Sequence, residues 1–101
     1  MRVYLSPLAE AKLIKLTKYL LLHWNLKVKK EFIAKLTGKI HQISAHPESC
    51  PQSSAFKGLF KCVVTKQTTF YYRIHPHKEE IEIITFFDTR KHPNKLKKQL
   101  K

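Results

Sequence analysis

Two alternating stretches decide the fold: Thr69-Phe70-Tyr71-Tyr72-Arg73-Ile74-His75 and Glu80-Ile81-Glu82-Ile83-Ile84-Thr85-Phe86-Phe87. Apolar or aromatic side chains alternate with polar ones through much of each stretch, which is the period of a β-strand. Only Pro76–Glu79 separates them, a connection that joins antiparallel neighbours and is too short for a parallel crossover. Residues 58–64 have the same period, so the sequence predicts antiparallel strands at 58–64, 69–75 and 80–87.

Side-chain parity predicts how these strands pair. If Pro76–Glu79 form the turn, the partners across it are His75 and Glu80, Arg73 and Glu82, Tyr72 and Ile83, and Tyr71 and Ile84. Lys61 then lies opposite Arg73 if the first hairpin has one core face, formed by Phe60, Cys62, Val64, Phe70, Tyr72 and Ile74. The other face would carry two rows: Lys61-Arg73-Glu82, and Val63-Tyr71-Ile84 with Phe86 nearby. A slip of one residue would dissolve both rows.

Towards the N-terminus the apolar spacing becomes helical. Ser6-Pro7 is typical of a helix start, with serine as the N-cap and proline at the first helical position. A first helix is expected over about 7–23, with its core face formed by Ala9, Leu13, Leu16 and Leu20 and continued by Trp24. A second helix follows and ends before Pro47, with a face formed by Val28, Phe32, Leu36, Ile40 and Ile43.

Residues 2–5 are β-prone and add a first strand, while the composition of residues 47–56 is that of a loop. The predicted order is therefore β-α-α-β-β-β, in one domain that spans residues 1–101. This is an α+β fold in which a two-helix hairpin packs on one face of a mostly antiparallel sheet.

The charge of the chain is strongly unbalanced. Twenty lysines and arginines face seven acidic residues among 101, which gives a formal net charge of +13. Like charge of this density opposes folding by self-repulsion, and a polyanionic partner, either nucleic acid or an acidic protein, is the usual reason for it. Solubility alone is the alternative explanation.

Composition and residue spacing also predict the cellular compartment and whether a metal or cofactor is bound. The longest apolar run, Tyr19–Leu22, is far too short to cross a bilayer and no signal-peptide core follows Met1, so a cytoplasmic protein is expected. Cys62 is predicted to be a small core residue and Cys50 an exposed loop thiol. Neither the cysteines nor the histidines have the spacing of a metal site, so no metal and no cofactor is expected.

The predicted open face of the sheet suggests a binding role. Two cations side by side in the Lys61-Arg73-Glu82 row are typical of a phosphate cradle, although Arg73 and Glu82 alone are also an ordinary cross-strand pair. The apolar row beside it, Val63, Tyr71, Ile84 and Phe86, is expected to be covered by a partner that carries acidic residues. His92 follows Arg90 and Lys91, where it is either a general acid or base or a surface histidine.

Four stretches together resemble the RelE/ParE superfamily of bacterial type II toxins: Leu5–Ala11, Trp24, Leu59–Lys61 with Phe70–Ile74, and Ile81–Arg90 with Pro93. The resemblance implies a toxin that is encoded beside a cognate antitoxin, which binds it and suppresses it. It also implies one of two targets. RelE-like members cleave mRNA on the ribosome, and ParE-like members inhibit DNA gyrase.

The resemblance assigns roles by position. Lys61 matches a second-strand lysine of the RelE nuclease set, Arg90 matches its arginine after the fourth strand, and His92 stands near its C-terminal acid or base. The third-strand arginine of that set falls near Thr68 or Thr69 and is missing. Target contacts are expected from Lys57, Lys66, Arg73 and Lys91, and antitoxin contacts from Val63, Tyr71, Ile84 and Phe86.

Because the nuclease set is incomplete, the sequence leaves open whether the protein is an enzyme. The Ser6–Ala11 opening is more similar to ParE, and the target stays open between the ribosome and gyrase. A basic nucleic-acid-binding domain without catalytic activity is the further alternative, and it predicts steeply salt-dependent binding to any duplex.

Overall fold

A computed structural model describes residues 1–88. Its elements are β1 (Arg2–Leu5), α1 (Pro7–His23), α2 (Leu26–Ala45), β2 (Phe60–Val63), β3 (Thr68–His75), a 3₁₀ turn (Pro76–Lys78) and β4 (Glu80–Asp88). The four strands form one sheet in the order β1-β4-β3-β2. β1 is parallel to β4 and the other pairs are antiparallel, which confirms the predicted fold class and order.

Both helices begin at side-chain caps. Ser6 accepts a hydrogen bond from the backbone N–H of Ala9 (3.0 Å), as the sequence predicts, and Asn25 accepts one from Val28 (2.9 Å). These bonds satisfy N–H groups that have no partner within the helix. The Ser6 hydroxyl also donates to the carbonyl of Ile84 (2.7 Å), so the start of α1 is fixed to β4.

The core lies between the helical hairpin and the sheet. α2 contributes its buried residues Phe32, Leu36 and Ile43, and the sheet contributes Phe60, Cys62, Val64, Phe70, Tyr72, Ile81, Ile83 and Phe86. From α1, Ala9 is buried and Leu13, Leu16 and Leu20 pack against the cluster while partly exposed. Trp24 does not continue this face: it follows α1 as its C-cap and is 63% exposed. None of the helices within residues 1–88 is long and apolar enough to cross a membrane.

The observed pairing of β2 with β3 differs from the predicted one, and the turn between them explains the difference. Lys61 lies opposite Tyr71, not Arg73. Val64 donates its N–H to the carbonyl of Thr68 (2.9 Å), so a short turn joins the strands and shifts the pairing by two residues. A shift of two keeps each side chain on its face, which is why the predicted core residues of this hairpin are right although the pairing is wrong.

The observed pairing of β3 with β4 also differs from the predicted one, because β4 contains a bulge. His75, Arg73 and Tyr72 pair with Glu80, Glu82 and Ile83 as expected, but Tyr71 pairs with Thr85, so Ile84 is an extra residue on β4. An extra residue lacks a partner in the ladder and reverses the alternation beyond it. The hydroxyl of Ser6 satisfies the carbonyl of Ile84. The reversal turns Phe86 towards the helices, so its predicted place on the open face is wrong.

The segment between α2 and β2 covers an edge of the sheet. Gln52 forms an antiparallel bridge with Phe60, Ser53 donates its N–H to the carbonyl of Leu59 (2.7 Å), and Lys61 donates to the carbonyl of Pro51 (2.8 Å). Gly58 has a φ of 83°, a backbone conformation that favours glycine. The outer edge of β2, which would otherwise present unpaired backbone groups, is therefore paired with the chain's own residues.

Candidate functional site

Lys61 lies on the sheet face opposite the helices. β2 alternates buried and exposed residues, so Phe60 and Cys62 enter the core while Lys61 and Val63 remain exposed. Val63 is 54% exposed, the largest apolar exposure on the sheet. An ammonium group and an apolar side chain thus stand side by side on a surface accessible to a partner.

Tyr71, which pairs with Lys61 across the two strands, is not accessible to a binding protein. It is 5% exposed and forms a small second cluster with the buried Leu59, against which Phe56, Ile84 and Phe87 pack. The ring of Phe56 stands edge-on to the ring of Tyr71, with centroids 6.1 Å apart. Burial raises the pKa of Tyr71, so its phenol is a poor proton donor at neutral pH. The chain's own 51–59 segment, rather than a partner, covers this part of the face.

The predicted row of two cations and a carboxylate does not form. Arg73 is exposed opposite Glu82, but the carboxylate of Glu82 contacts the imidazole of His75 (Nε2 to Oε1, 3.0 Å). Within residues 1–88, no carboxylate lies within ion-pair distance of the Arg73 guanidinium. Lys61 and Arg73 share a face without being neighbours across the strands.

The remaining predicted cations lie at two places. Lys57 is exposed in the segment that precedes β2. Lys66 is exposed in the turn before Thr68, and Thr68 pairs with Asp88, so Lys66 and the last described residue are at the same end of the sheet. Arg90, Lys91 and His92 lie outside the described residues.

A groove lies on the helix side of this same end of the sheet. It has a volume of about 510 Å³ and is lined by Lys12, Lys15, Leu16 and Tyr19 of α1 with Thr68, Phe86, Phe87 and Asp88 of the sheet. Phe86, although only 3% exposed, therefore borders the groove rather than the open face. The sequence analysis missed this site because it named no lysine of α1 among the candidate site residues. The spacing of three residues between Lys12 and Lys15, beside Leu16 and Tyr19, was the available signal.

The described residues contain no site for a resident metal. No group of three or more histidine, cysteine, aspartate or glutamate side chains in residues 1–88 is arranged to hold a metal ion. The described surfaces offer cationic and apolar contacts: Lys61 beside Val63 on the sheet face, and lysines beside aromatic rings in the groove.

The comparisons with known proteins give the family. The model of the family "ParE toxin of type II toxin-antitoxin system, parDE" matches residues 3–93. The chain belongs to this ParE toxin family. It is thus a toxin of a type II toxin–antitoxin system and a member of the RelE/ParE superfamily, as the resemblance implied.

Solved structures agree on the fold of this ParE-family toxin. A chain of the chromosomal ParDE system from P. aeruginosa superposes with a TM-score of 0.68 at 13% identity, over 87% of this chain and 95% of that chain. A YoeB/ParE toxin from Agrobacterium tumefaciens superposes with a TM-score of 0.63 at 13% identity, over 87% and 98% of the two chains. No curated protein matches the sequence at a significant level.

Proposed function

We propose that this ParE-family toxin arrests growth by binding and inhibiting DNA gyrase, and that a cognate antitoxin neutralises it. The observation that carries the proposal is the family match over residues 3–93, since ParE-like toxins are the gyrase inhibitors of the superfamily. The toxin would act through protein contacts and needs no chemical step of its own.

The described sheet face supports inhibition by binding over RNA cleavage. Cleavage requires groups that activate the 2′-hydroxyl, stabilise the phosphate and protonate the leaving oxygen within reach of one phosphodiester. Lys61 instead stands opposite the buried Tyr71, and Arg73 lies two residues further along the strand beside Glu82. The side chain that neighbours Lys61 across β2 and β3 is the phenol of Tyr71, and burial raises its pKa.

Two surfaces support an acidic and partly apolar antitoxin segment as the partner. The first is the groove, where the exposed Lys15 borders Leu16, Tyr19 and Phe86. The second is the exposed Val63 beside Lys61, with the partly exposed Ile84 on the same face. A segment with apolar residues for the rings and carboxylates for the lysines would match both surfaces and offset part of the +13 charge.

The decisive experiment compares both targets with one preparation of purified toxin. We expect the toxin to inhibit supercoiling by gyrase and to leave mRNA intact in a translation mixture that contains ribosomes. Addition of the antitoxin should restore supercoiling. Arrested growth with intact transcripts and DNA damage should accompany induced expression in cells.

The same experiment examines ribosome-dependent mRNA cleavage as the second candidate. The exposed Lys61 on β2 and the arginine that follows β4 in sequence, Arg90, favour it. Codon-phased cuts that disappear in Arg90→Ala and weaken in Lys61→Ala, with supercoiling unaffected, would replace gyrase as the target. Salt-sensitive binding to any duplex without growth arrest would instead support a plain nucleic-acid-binding domain.

A further inference from the structure

The two cysteines face each other across a short antiparallel pairing. Ser53 bonds to Leu59, Gln52 bridges Phe60, and Lys61 bonds to Pro51. In an antiparallel pairing, residue numbers rise on one segment as they fall on the other. The pair after Pro51 and Lys61 is therefore Cys50 and Cys62. Cys50 is only 7% exposed and belongs to the same core cluster as Cys62. Its predicted exposure as a loop thiol is therefore wrong, because the pairing draws it against β2.

The position of the pair within the ladder places the two cysteine backbones close together. Ser53 with Leu59, and Pro51 with Lys61, are hydrogen-bonded pairs, so Cys50 and Cys62 occupy a non-hydrogen-bonded position. The Cα atoms of such positions lie about 4.5 Å apart, the closest approach in an antiparallel ladder. Disulfides span Cα separations of roughly 4.4 to 6.8 Å. Both residues are free thiols in one core cluster, and the neighbouring Cys50 thiol contributes to the raised pKa of Cys62.

We propose that Cys50 and Cys62 form an oxidisable pair that closes to an intrachain disulfide, with a small-molecule disulfide such as oxidised glutathione as the oxidant. One cysteine thiolate attacks the glutathione disulfide, forms a mixed disulfide and releases one glutathione. The thiolate of the other cysteine then attacks the protein sulfur and releases the second glutathione. Two protein thiols are oxidised, two glutathione molecules are formed, and the two thiol protons pass to the released thiolates or to water.

The structure indicates which thiol reacts first. Burial, with the neighbouring Cys50 thiol, raises the pKa of Cys62 to about 12, so its thiolate is scarce. Cys62 also lies within β2, whereas Cys50 lies outside the regular elements, in the segment that follows α2. Opening of that segment exposes Cys50 to the oxidant, and its return to β2 brings the mixed disulfide to Cys62.

Disulfide formation would hold the 51–59 segment, which covers part of the sheet face, against β2. The new ring encloses residues 51–61, which include Lys57, Lys61 and the Phe56 ring that packs on Tyr71. In the reduced protein this segment is held to β2 by a few backbone bonds. A disulfide removes conformations from the unfolded chain and keeps the segment in place. Oxidation would therefore stabilise the fold and fix the surface around Lys61.

The test equilibrates the full-length native protein in glutathione buffers, from the reduced and from the oxidised side until the two agree, so that slow access to the thiols does not affect the result. We expect mass spectrometry to show the loss of two hydrogen atoms, without a glutathione adduct or a covalent dimer. The midpoint of thermal unfolding should rise by roughly 10 °C and return on reduction. The matched variants Cys50→Ser and Cys62→Ser should show no such rise.

Three outcomes would overturn the proposal. In the first, the native protein retains both thiols at glutathione ratios that oxidise the urea-unfolded chain. In the second, oxidation ends at a stable glutathione adduct. In the third, the disulfide forms but lowers the midpoint of thermal unfolding. Each would mean that Cys50 and Cys62 are not a pair that closes to a stabilising disulfide. These readouts are independent of gyrase and of growth arrest, so they do not depend on the function proposed above.

Discussion

At the scale of single residues, Tyr72 joins the core to the segment after α2. Its ring stacks on Phe60 with centroids 5.1 Å apart, and its hydroxyl donates to the carbonyl of Pro47 (2.7 Å). Burial raises the pKa of Tyr72 and keeps this hydroxyl protonated as a donor. One side chain thus supplies both an apolar surface and a hydrogen bond that holds the beginning of the 46–59 segment.

Tyr72→Phe separates these two contributions. The ring contact remains and the hydrogen bond to Pro47 is lost, so the free energy of unfolding should fall by about 1 kcal/mol. Tyr72→Ala, which also removes the ring from the core, should cost about 3 to 5 kcal/mol. Urea denaturation measures both values, and equal losses in the two variants would contradict this division.

Cys62 makes the stability of the reduced protein sensitive to alkali. Its ordinary pKa is 9.0 and burial raises it to about 12 in the folded state, so the unfolded chain ionises first. The stability contributed by the neutral thiol is complete below pH 9 and is lost as the pH rises from 9 towards 12. The slope is about 1.4 kcal/mol per pH unit. The raised pKa of Tyr72 adds to this loss above pH 10.

We therefore expect a shallower dependence in Cys62→Ala. With reductant present, its free energy of unfolding should fall less steeply between pH 9 and pH 10 than that of the parent protein, although it is lower at every pH because of the cavity. Parallel curves for the two proteins would show that Cys62 ionises at the same pH whether folded or unfolded.

At the scale of elements, Ser6 joins α1 to the bulge of β4. Ser6→Ala removes the N-cap bond from Ala9 and leaves the carbonyl of Ile84 without its donor. We expect a loss of about 2 kcal/mol, since a cap and a further hydrogen bond are each worth about 1 kcal/mol. Asn25→Ala removes only the exposed cap of α2 and should cost about 1 kcal/mol. Chemical denaturation compares the two, and a larger loss for Asn25→Ala would contradict the proposed link.

At this scale, sequence patterns predicted which strand residues are buried but not how the strands pair. Alternation assigned Phe60, Cys62, Phe70 and Tyr72 to the core, and the structure agrees. It did not place Lys61 opposite its true partner, because any shift of two residues preserves the alternation. The alternation also did not reveal the bulge at Ile84, whose carbonyl accepts a hydrogen bond from Ser6, far away in the sequence.

At the scale of the whole molecule, the excess of positive charge should govern association with the proposed antitoxin. Lys15 is exposed at the groove, whereas Lys35 is exposed on α2 and does not line it. Lys15→Glu should weaken antitoxin binding roughly tenfold, with Lys35→Glu changing it much less. Both variants alter the net charge equally, so they separate a local contact from the overall field.

Titration calorimetry at two salt concentrations measures this difference. The gap between Lys15→Glu and the parent protein should narrow at high salt, because screening acts on exposed charges. Equal weakening by the two variants would indicate that the total charge, rather than the groove, attracts the antitoxin.

The sequence alone determined the order of elements, the two-helix hairpin on a mostly antiparallel sheet, the cap at Ser6 and the superfamily. The elements and the cap depend on neighbours a few residues apart, whose periodicity and capping chemistry are local, whereas the superfamily rested on the resemblance of four stretches along the chain. Only the tertiary structure decided that Tyr71 is covered, that Phe86 faces the groove and that Cys50 meets Cys62. Each of these depends on a turn, a bulge or an edge pairing that joins distant segments, and the free energy of such contacts is not encoded in any local pattern.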